Sequence, residues 1–353
     1  MKTRSLTTSR RHLVFTALIL CAALLATSRA HAQSGLLGFE RSLVIQMNPQ
    51  YPRPGDIVSL KVTSPIQDIS EGEIAWTTNG KPLSSGTGEL TAQIELGPLG
   101  SRTVIGVNVI TDNGEAFGEM TIIPTEIDLL VDTDAYVPPF YRGRALPSVG
   151  TTVYLEAKPR FLLPSGASVP TSDIFFTWKK NNDTLTALSG KGKSVARIPL
   201  QNLFGTYVVS VEAYTSDRSL SGRATHTLTH TPPAVLLYQD HPLYGIMYHR
   251  ALTSPATFSE NEITFALVPF FAQATSPNDP GLTFAWSVNG QSIPADANNP
   301  SRITINADNS SGEALLKLGL SHKTNYFFSS DTTWNMTLSS REPSSATFSP
   351  FTE

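Results

Sequence analysis

Three segments of the chain share one layout, a tryptophan, two residues and a two-residue turn: Trp76-Thr77-Thr78-Asn79-Gly80, Trp178-Lys179-Lys180-Asn181-Asn182 and Trp286-Ser287-Val288-Asn289-Gly290. The tryptophans stand 102 and 108 residues apart, which is a single-domain period. Each follows a strand-like run: Glu73-Ile74-Ala75, Ile174-Phe175-Phe176-Thr177 and Leu282-Thr283-Phe284-Ala285. The recurrence demands three similar units, each with a large aromatic just ahead of a tight turn.

The rest of the pattern says what kind of unit. Val58-Ser59-Leu60-Lys61-Val62 and Val104-Ile105-Gly106-Val107-Asn108-Val109 alternate apolar and other residues, the period of a strand with one buried face. Asn79-Gly80 and Asn113-Gly114 are hairpin signals, because Asn and Gly tolerate positive φ. Short strands with frequent turns and no helix-period stripe predict an all-β chain of three tandem immunoglobulin-like β-sandwich domains, at 36–125, 126–231 and 232–343, with a polar tail at 344–353. In this reading Trp76, Trp178 and Trp286 are structural core residues filling the gap between two sheets about 10 Å apart. Trp334 has no counterpart in the other repeats. The links Pro124-Thr125-Glu126 and Thr231-Pro232-Pro233 are short and stiff, and predict a semi-rigid rod.

A tryptophan before a short turn, units of about a hundred residues and the run Asn278-Asp279-Pro280-Gly281-Leu282-Thr283-Phe284-Ala285-Trp286 resemble the polycystic-kidney-disease-type and related immunoglobulin-like domains of bacterial surface proteins. The resemblance covers roughly residues 43 to 340 and implies a fold and a placement, not a chemistry. The inter-sheet cysteine pair of such domains is absent.

The first residues predict export. Basic Lys2, Arg4, Arg10 and Arg11 precede an apolar run from Leu13 to Ala26, and Ala30-His31-Ala32 is a small-x-small site, so residues 1–32 read as a cleaved signal peptide. The apolar run would reach only about 21 Å as a helix, short of a bilayer's hydrocarbon core. Arg10-Arg11 partly resembles a twin-arginine signal. Cys21 follows Leu20 where a lipoprotein signal has a small residue, which argues against lipidation. Cleavage would remove that single cysteine, leaving no disulfide or thiolate metal site. The expected location is therefore the periplasm, cell surface or exterior of a bacterium, without stable membrane insertion.

Composition and motifs narrow the chemistry. A net charge of −3 with 16% charged residues does not make a polyanion-binding face, so nucleic acid is not an expected partner. His226 and His230 would stand about 13 Å apart on a strand, too far for one ion. Asp132-Thr133-Asp134, Asp296 and Asp308-Asn309 read as turn residues rather than a calcium loop. No Gly-x-Ser-x-Gly elbow or His-Glu-x-x-His motif occurs, so neither an enzyme nor a cofactor is expected.

One repeated feature is unexplained by the fold. Tyr141 with Arg144-Ala145-Leu146, and Tyr248 with Arg250-Ala251-Leu252, recur in step with the tryptophans. An aromatic beside an arginine is the composition of an interface anchor. Tyr141, Arg144, Leu146, Tyr248, Arg250 and Leu252 are thus the candidate interface, with the tyrosines at the 1–2 and 2–3 junctions and Leu146 and Leu252 turned into their own cores. The function expected is a non-catalytic structural or adhesive scaffold of the cell envelope or a pilus- or secretion-associated assembly, with other envelope or surface proteins as partners. A carbohydrate-binding accessory protein, with glycans as partners, is the alternative, and a hydrolase with a site at a domain junction comes third.

Overall fold

In the first repeat, alternation becomes pairing. Strands β1 (Val44–Asn48), β2 (Ile57–Thr63), β3 (Glu73–Thr78), β4 (Lys81–Thr87), β5 (Thr91–Glu95), β6 (Thr103–Thr111) and β7 (Gly114–Ile122) form two sheets, ordered β1-β2-β5 and β4-β3-β6-β7. Along β2, Val58, Leu60 and Val62 are buried while Ile57, Ser59 and Lys61 face out. Ile74 and Trp76 from β3 and Val107 and Val109 from β6 meet them from the other sheet. A two-residue period thus fills a two-sheet core.

The second repeat contributes β8 (Glu126–Thr133), β9 (Thr152–Arg160), β10 (Phe175–Lys180), β11 (Asp183–Thr184), β12 (Gly190–Lys191), β13 (Val195–Pro199), β14 (Thr206–Tyr214) and β15 (Ser221–Thr229). Its sheets run β13-β9-β8 and β11-β10-β14-β15, with β12 also on β10. The third adds β16 (Ala234–His241), β17 (Gly245–Ala251), β18 (Ala256–Phe258), β19 (Glu262–Phe270), β20 (Leu282–Val288), β21 (Gln291–Ile293), β22 (Arg302–Asn306), β23 (Gly312–His322) and β24 (Ser329–Leu338). These form sheets β17-β16-β19-β22 and β18-β24-β23-β20-β21. The chain is therefore all-β, tandem sandwiches of immunoglobulin-like architecture, with no α-helix among the described residues.

This computed structural model describes residues 43–200, 205–308 and 311–339. The expected signal peptide with Cys21, Asn309 and the expected polar tail lie outside the described residues. The described chain falls into two compact units: the first repeat through Glu126 together with 160–169 and 217–222, and the remainder of the second repeat together with the third.

The tryptophan motif is rebuilt three times. Trp76, Trp178 and Trp286 are at most 1% exposed, and they pair across the sheet with Val107, Val211 and Leu318. Each indole Nε1 donates to a backbone carbonyl, Glu89 at 2.8 Å, Lys193 at 2.9 Å and Pro300 at 3.1 Å. The one polar atom of each buried ring is thus satisfied. In each turn the asparagine side chain accepts a bond from the next long strand: Asn79 from Val104 N–H, Asn181 from Val208 N–H and Asn289 from Leu315 N–H, at 2.8–3.0 Å. Unmatched Trp334 joins the third core from β24.

Candidate interaction surface

After β8 the chain leaves its own sheet and reaches the third repeat. Tyr136 N–H donates to the Ala272 carbonyl at 2.8 Å, and Phe271 N–H donates to the Tyr136 carbonyl at 2.7 Å, an antiparallel bridge. The Tyr136 side chain packs against the third core. A second fastening comes from Asn325, whose Nδ2 donates to the Val149 carbonyl at 3.1 Å and to Gln273 Oε1 at 2.7 Å. Gly150 beside it has φ +85°, and any Cβ there would collide with Gln273 and Asn325. The positive φ favours glycine there, and a Cβ would have to push the Gln273 and Asn325 side chains aside.

Around the bridge lies an aromatic cluster. Tyr141 meets Phe270 and Phe271 edge-to-face at centroid distances of 5.6 and 5.8 Å. Phe140 lies 4.5 Å from Tyr248 and 5.9 Å from Tyr238. Such pairs add about 0.5–1.5 kcal/mol each beyond their buried area. Burial, with the nearby Tyr248 phenol adding to it, raises the pKa of both Tyr136 and Tyr238 above the ordinary 10.0.

This cluster holds the base of the β16–β17 hairpin, whose strands pair from Tyr238↔Ala251 to His241↔Gly245 with a bulge between. Its three-residue loop, Pro242-Leu243-Tyr244, closes on Gly245 at φ +69°. Leu243 N–H donates to His241 Nδ1 at 3.1 Å, and the His241 and Tyr244 rings lie 4.7 Å apart at 30°. Leu243 and Tyr244 nonetheless face solvent, 83% and 76% exposed. A large apolar pair at a braced tip is the arrangement of a contact residue rather than of a packing residue.

The six candidate interface residues are dispersed differently from the expectation. The sequence position of Tyr141 points to the 1–2 junction, whereas its ring packs on Phe270 and Phe271 and so joins Tyr248 in one cluster. Leu252 packs against the third core, and its N–H donates to the Leu237 carbonyl. Leu146 corrects the expectation: it is 39% exposed rather than turned into the second core. The reason is local. Arg250-Ala251 ends strand β17, but Arg144-Ala145-Leu146 lies in irregular chain drawn off its sheet by the Tyr136 bridge, where no alternation directs a side chain inward. Arg250 is exposed, as is Arg144, which lines a groove of about 710 Å³ with Leu130, Asp132, Tyr154, Glu156 and Val195.

Sequence reasoning missed Tyr136, Tyr238, Phe270 and Phe271. The doublet Phe270-Phe271 was the available signal, since two adjacent aromatics on a strand cannot both enter one core. The acidic turn residues serve the backbone: Asp134 accepts from Thr152 N–H at 2.6 Å and Asp296 from Asn298 N–H at 2.9 Å. His226 is exposed on β15, and burial lowers the pKa of His230 just after it. Among the described residues no three His, Cys, Asp or Glu side chains come together as a metal site.

No protein-family profile matches the chain, and no curated protein matches it. Solved structures of tandem β-domains do resemble it. Fibronectin(III)-like modules of Clostridium thermocellum CbhA align at 10% identity over 53% of this chain and 94% of theirs, with a TM-score of 0.27. The central fibronectin-III array of RIM-binding protein aligns at 15% identity over 86% of this chain and 98% of its own, with a TM-score of 0.28. A glucan-utilization protein of Bacteroides ovatus, solved with a mixed-linkage heptasaccharide, aligns at 16% identity over 84% of this chain and 70% of its own, with a TM-score of 0.22. At these levels the likeness concerns tandem β-sandwich modules and extends to no activity.

Proposed function

We propose that this protein is an exported, non-catalytic interaction scaffold of the bacterial envelope, which contacts a partner protein through the tip of the β16–β17 hairpin. The observation that carries this reading is the exposure of Leu243 and Tyr244 on a loop whose base is fixed by the aromatic cluster. A preordered apolar tip binds without the entropic cost of ordering a loop. The N-terminal sequence supports export, and the lack of an elbow or metalloprotease motif supports a non-catalytic role.

Replacing Leu243→Ser and Tyr244→Ser together tests the reading. The exposed pair can be removed with a stability change of about 0.5 kcal/mol or less, while capture of envelope proteins by the purified chain should fall at least about tenfold, the loss of two contact side chains. Unchanged capture would remove the hairpin from the interface. The paired His241 and Tyr244 rings favour one second reading, stacking on a sugar. In that case Tyr244→Ala abolishes oligosaccharide binding by calorimetry and Leu243→Ser leaves it intact.

A further inference from the structure

Strands β17 and β18 are edge strands of the two sheets of the third sandwich, and residues 252–255 carry the chain across the gap between them. Apolar side chains ordinarily fill the space between stacked sheets. Here the gap holds a cavity of about 440 Å³, within the range of about 300–1,000 Å³ of small-molecule sites. Leu252 and Phe258, both packed on the third core, close its inner side. Alternation along β17 divides the hairpin: Ile246 and Tyr248 turn to the aromatic cluster, while Met247 and His249 line the cavity together with Arg250. The opposite wall runs from Thr257 to Glu260.

The charged groups of the two walls are unequally engaged. Glu260 Oε2 accepts from Ser259 N–H at 3.1 Å, which holds that carboxylate in place. The side chains of His249 and Arg250 make no hydrogen bond or ion pair among the described residues. Arg250 also belongs to the repeated Arg-Ala-Leu segment whose recurrence the fold does not explain. Its two copies differ in secondary structure, yet Arg144-Ala145 and Arg250-Ala251 each line a cavity that also holds a carboxylate, Glu156 in one and Glu260 in the other. What the repeat preserves is a guanidinium at a cavity wall.

We infer that the cavity between β17 and β18 binds a carboxylated sugar, a pyranose ring bearing a carboxylate as in a hexuronate. The Arg250 guanidinium takes the carboxylate, because its planar fork matches two oxygens at once. Across from it, Gln239, Thr257 and the second oxygen of Glu260 offer donors and acceptors to the ring hydroxyls. Met247 and Phe258 offer apolar surface to the C–H groups of the ring. A peptide C-terminus also carries a carboxylate, but it has no ring of hydroxyls to engage the amide, hydroxyl and carboxylate of that lining. The site is separate from the hairpin tip and does not rest on it.

Methionine methyl NMR of the full chain tests this, because Met247 lines the cavity whereas Met47 and Met120 belong to the first sandwich. Titration with glucuronate should move the Met247 resonance and leave those of Met47 and Met120 in place. Glucose, the same ring without the carboxylate, and acetate, the carboxylate without the ring, should each bind at least about tenfold more weakly. Arg250→Gln should weaken glucuronate binding by at least about tenfold, the loss of a charge-assisted pair. An unchanged resonance of Met336, a residue of the third core, shows that this variant stays folded. Leu243→Ser with Tyr244→Ser should leave glucuronate binding intact, which separates this site from the proposed hairpin contact. The inference is overturned if the Met247 resonance does not move, if glucose or acetate binds as tightly as glucuronate, if Arg250→Gln binds glucuronate unchanged, or if the tip variant abolishes binding.

Discussion

Asn79, Asn181 and Asn289 occupy the left-handed region, with φ of 50°, 54° and 49°. Each bonds forward to a strand more than two dozen residues away. Replacing Asn79 by alanine removes that bond and leaves a left-handed backbone without the polar side chain that offsets its cost, and should destabilise by about 2 kcal/mol. Glycine keeps the backbone and loses only the bond, about 1 kcal/mol. Asn182 carries φ 121° where the other repeats have Gly80 and Gly290. Asn182→Gly should therefore stabilise by roughly 0.5–1 kcal/mol in urea unfolding. The turn was legible because its chemistry is local. The partner of the asparagine side chain was not, because nothing in a five-residue motif says which strand will arrive beside it.

The element scale shows where repetition in sequence stops meaning repetition in structure. Both Arg-Ala-Leu segments are in step with the tryptophans, yet Arg250 and Ala251 lie in β17 while Arg144 and its neighbours lie in irregular chain. Strand identity there is decided by the backbone partner available, and Tyr136 takes its partner from another sandwich. The core was readable from alternation; this junction, where Tyr136 makes backbone bonds to Ala272 and Phe271, was not. It should be sensitive to alkali. Tyr136 and Tyr238 have folded pKa values raised above 10.0, so the neutral phenols are the favoured form in the folded chain. The stability they contribute is fully present below pH 10 and is lost as pH rises through their folded values. Phenolate absorbance should show these tyrosines titrating later than the exposed ones, and Tyr136→Phe should flatten the fall in stability above pH 10.

At the scale of the molecule, most of the second sandwich shares one compact unit with the third. Trp178→Ala should cost about 3–5 kcal/mol, since the ring is fully buried and its cavity cannot collapse between sheets. Because the bridge, Asn325 and the aromatic cluster tie the neighbour to it, amide hydrogen exchange should accelerate in β19 and β23 as well as in β10 and β14. Acceleration confined to β10 and β14 would show that the two sandwiches open independently.

The Tyr136–Ala272 bridge also matters for a chain under tension. It joins two points with most of the second sandwich and strands β16 to β19 of the third between them, and so ties off a loop of the polypeptide. A pull on the ends meets those two backbone bonds at the neck of the loop. Until they break, roughly 450 Å of contour is withheld from extension. The bridge then acts as a mechanical fuse, sharing the load with the pairs of β8 on β9 and β19 on β22, which also join the loop to the chain outside it.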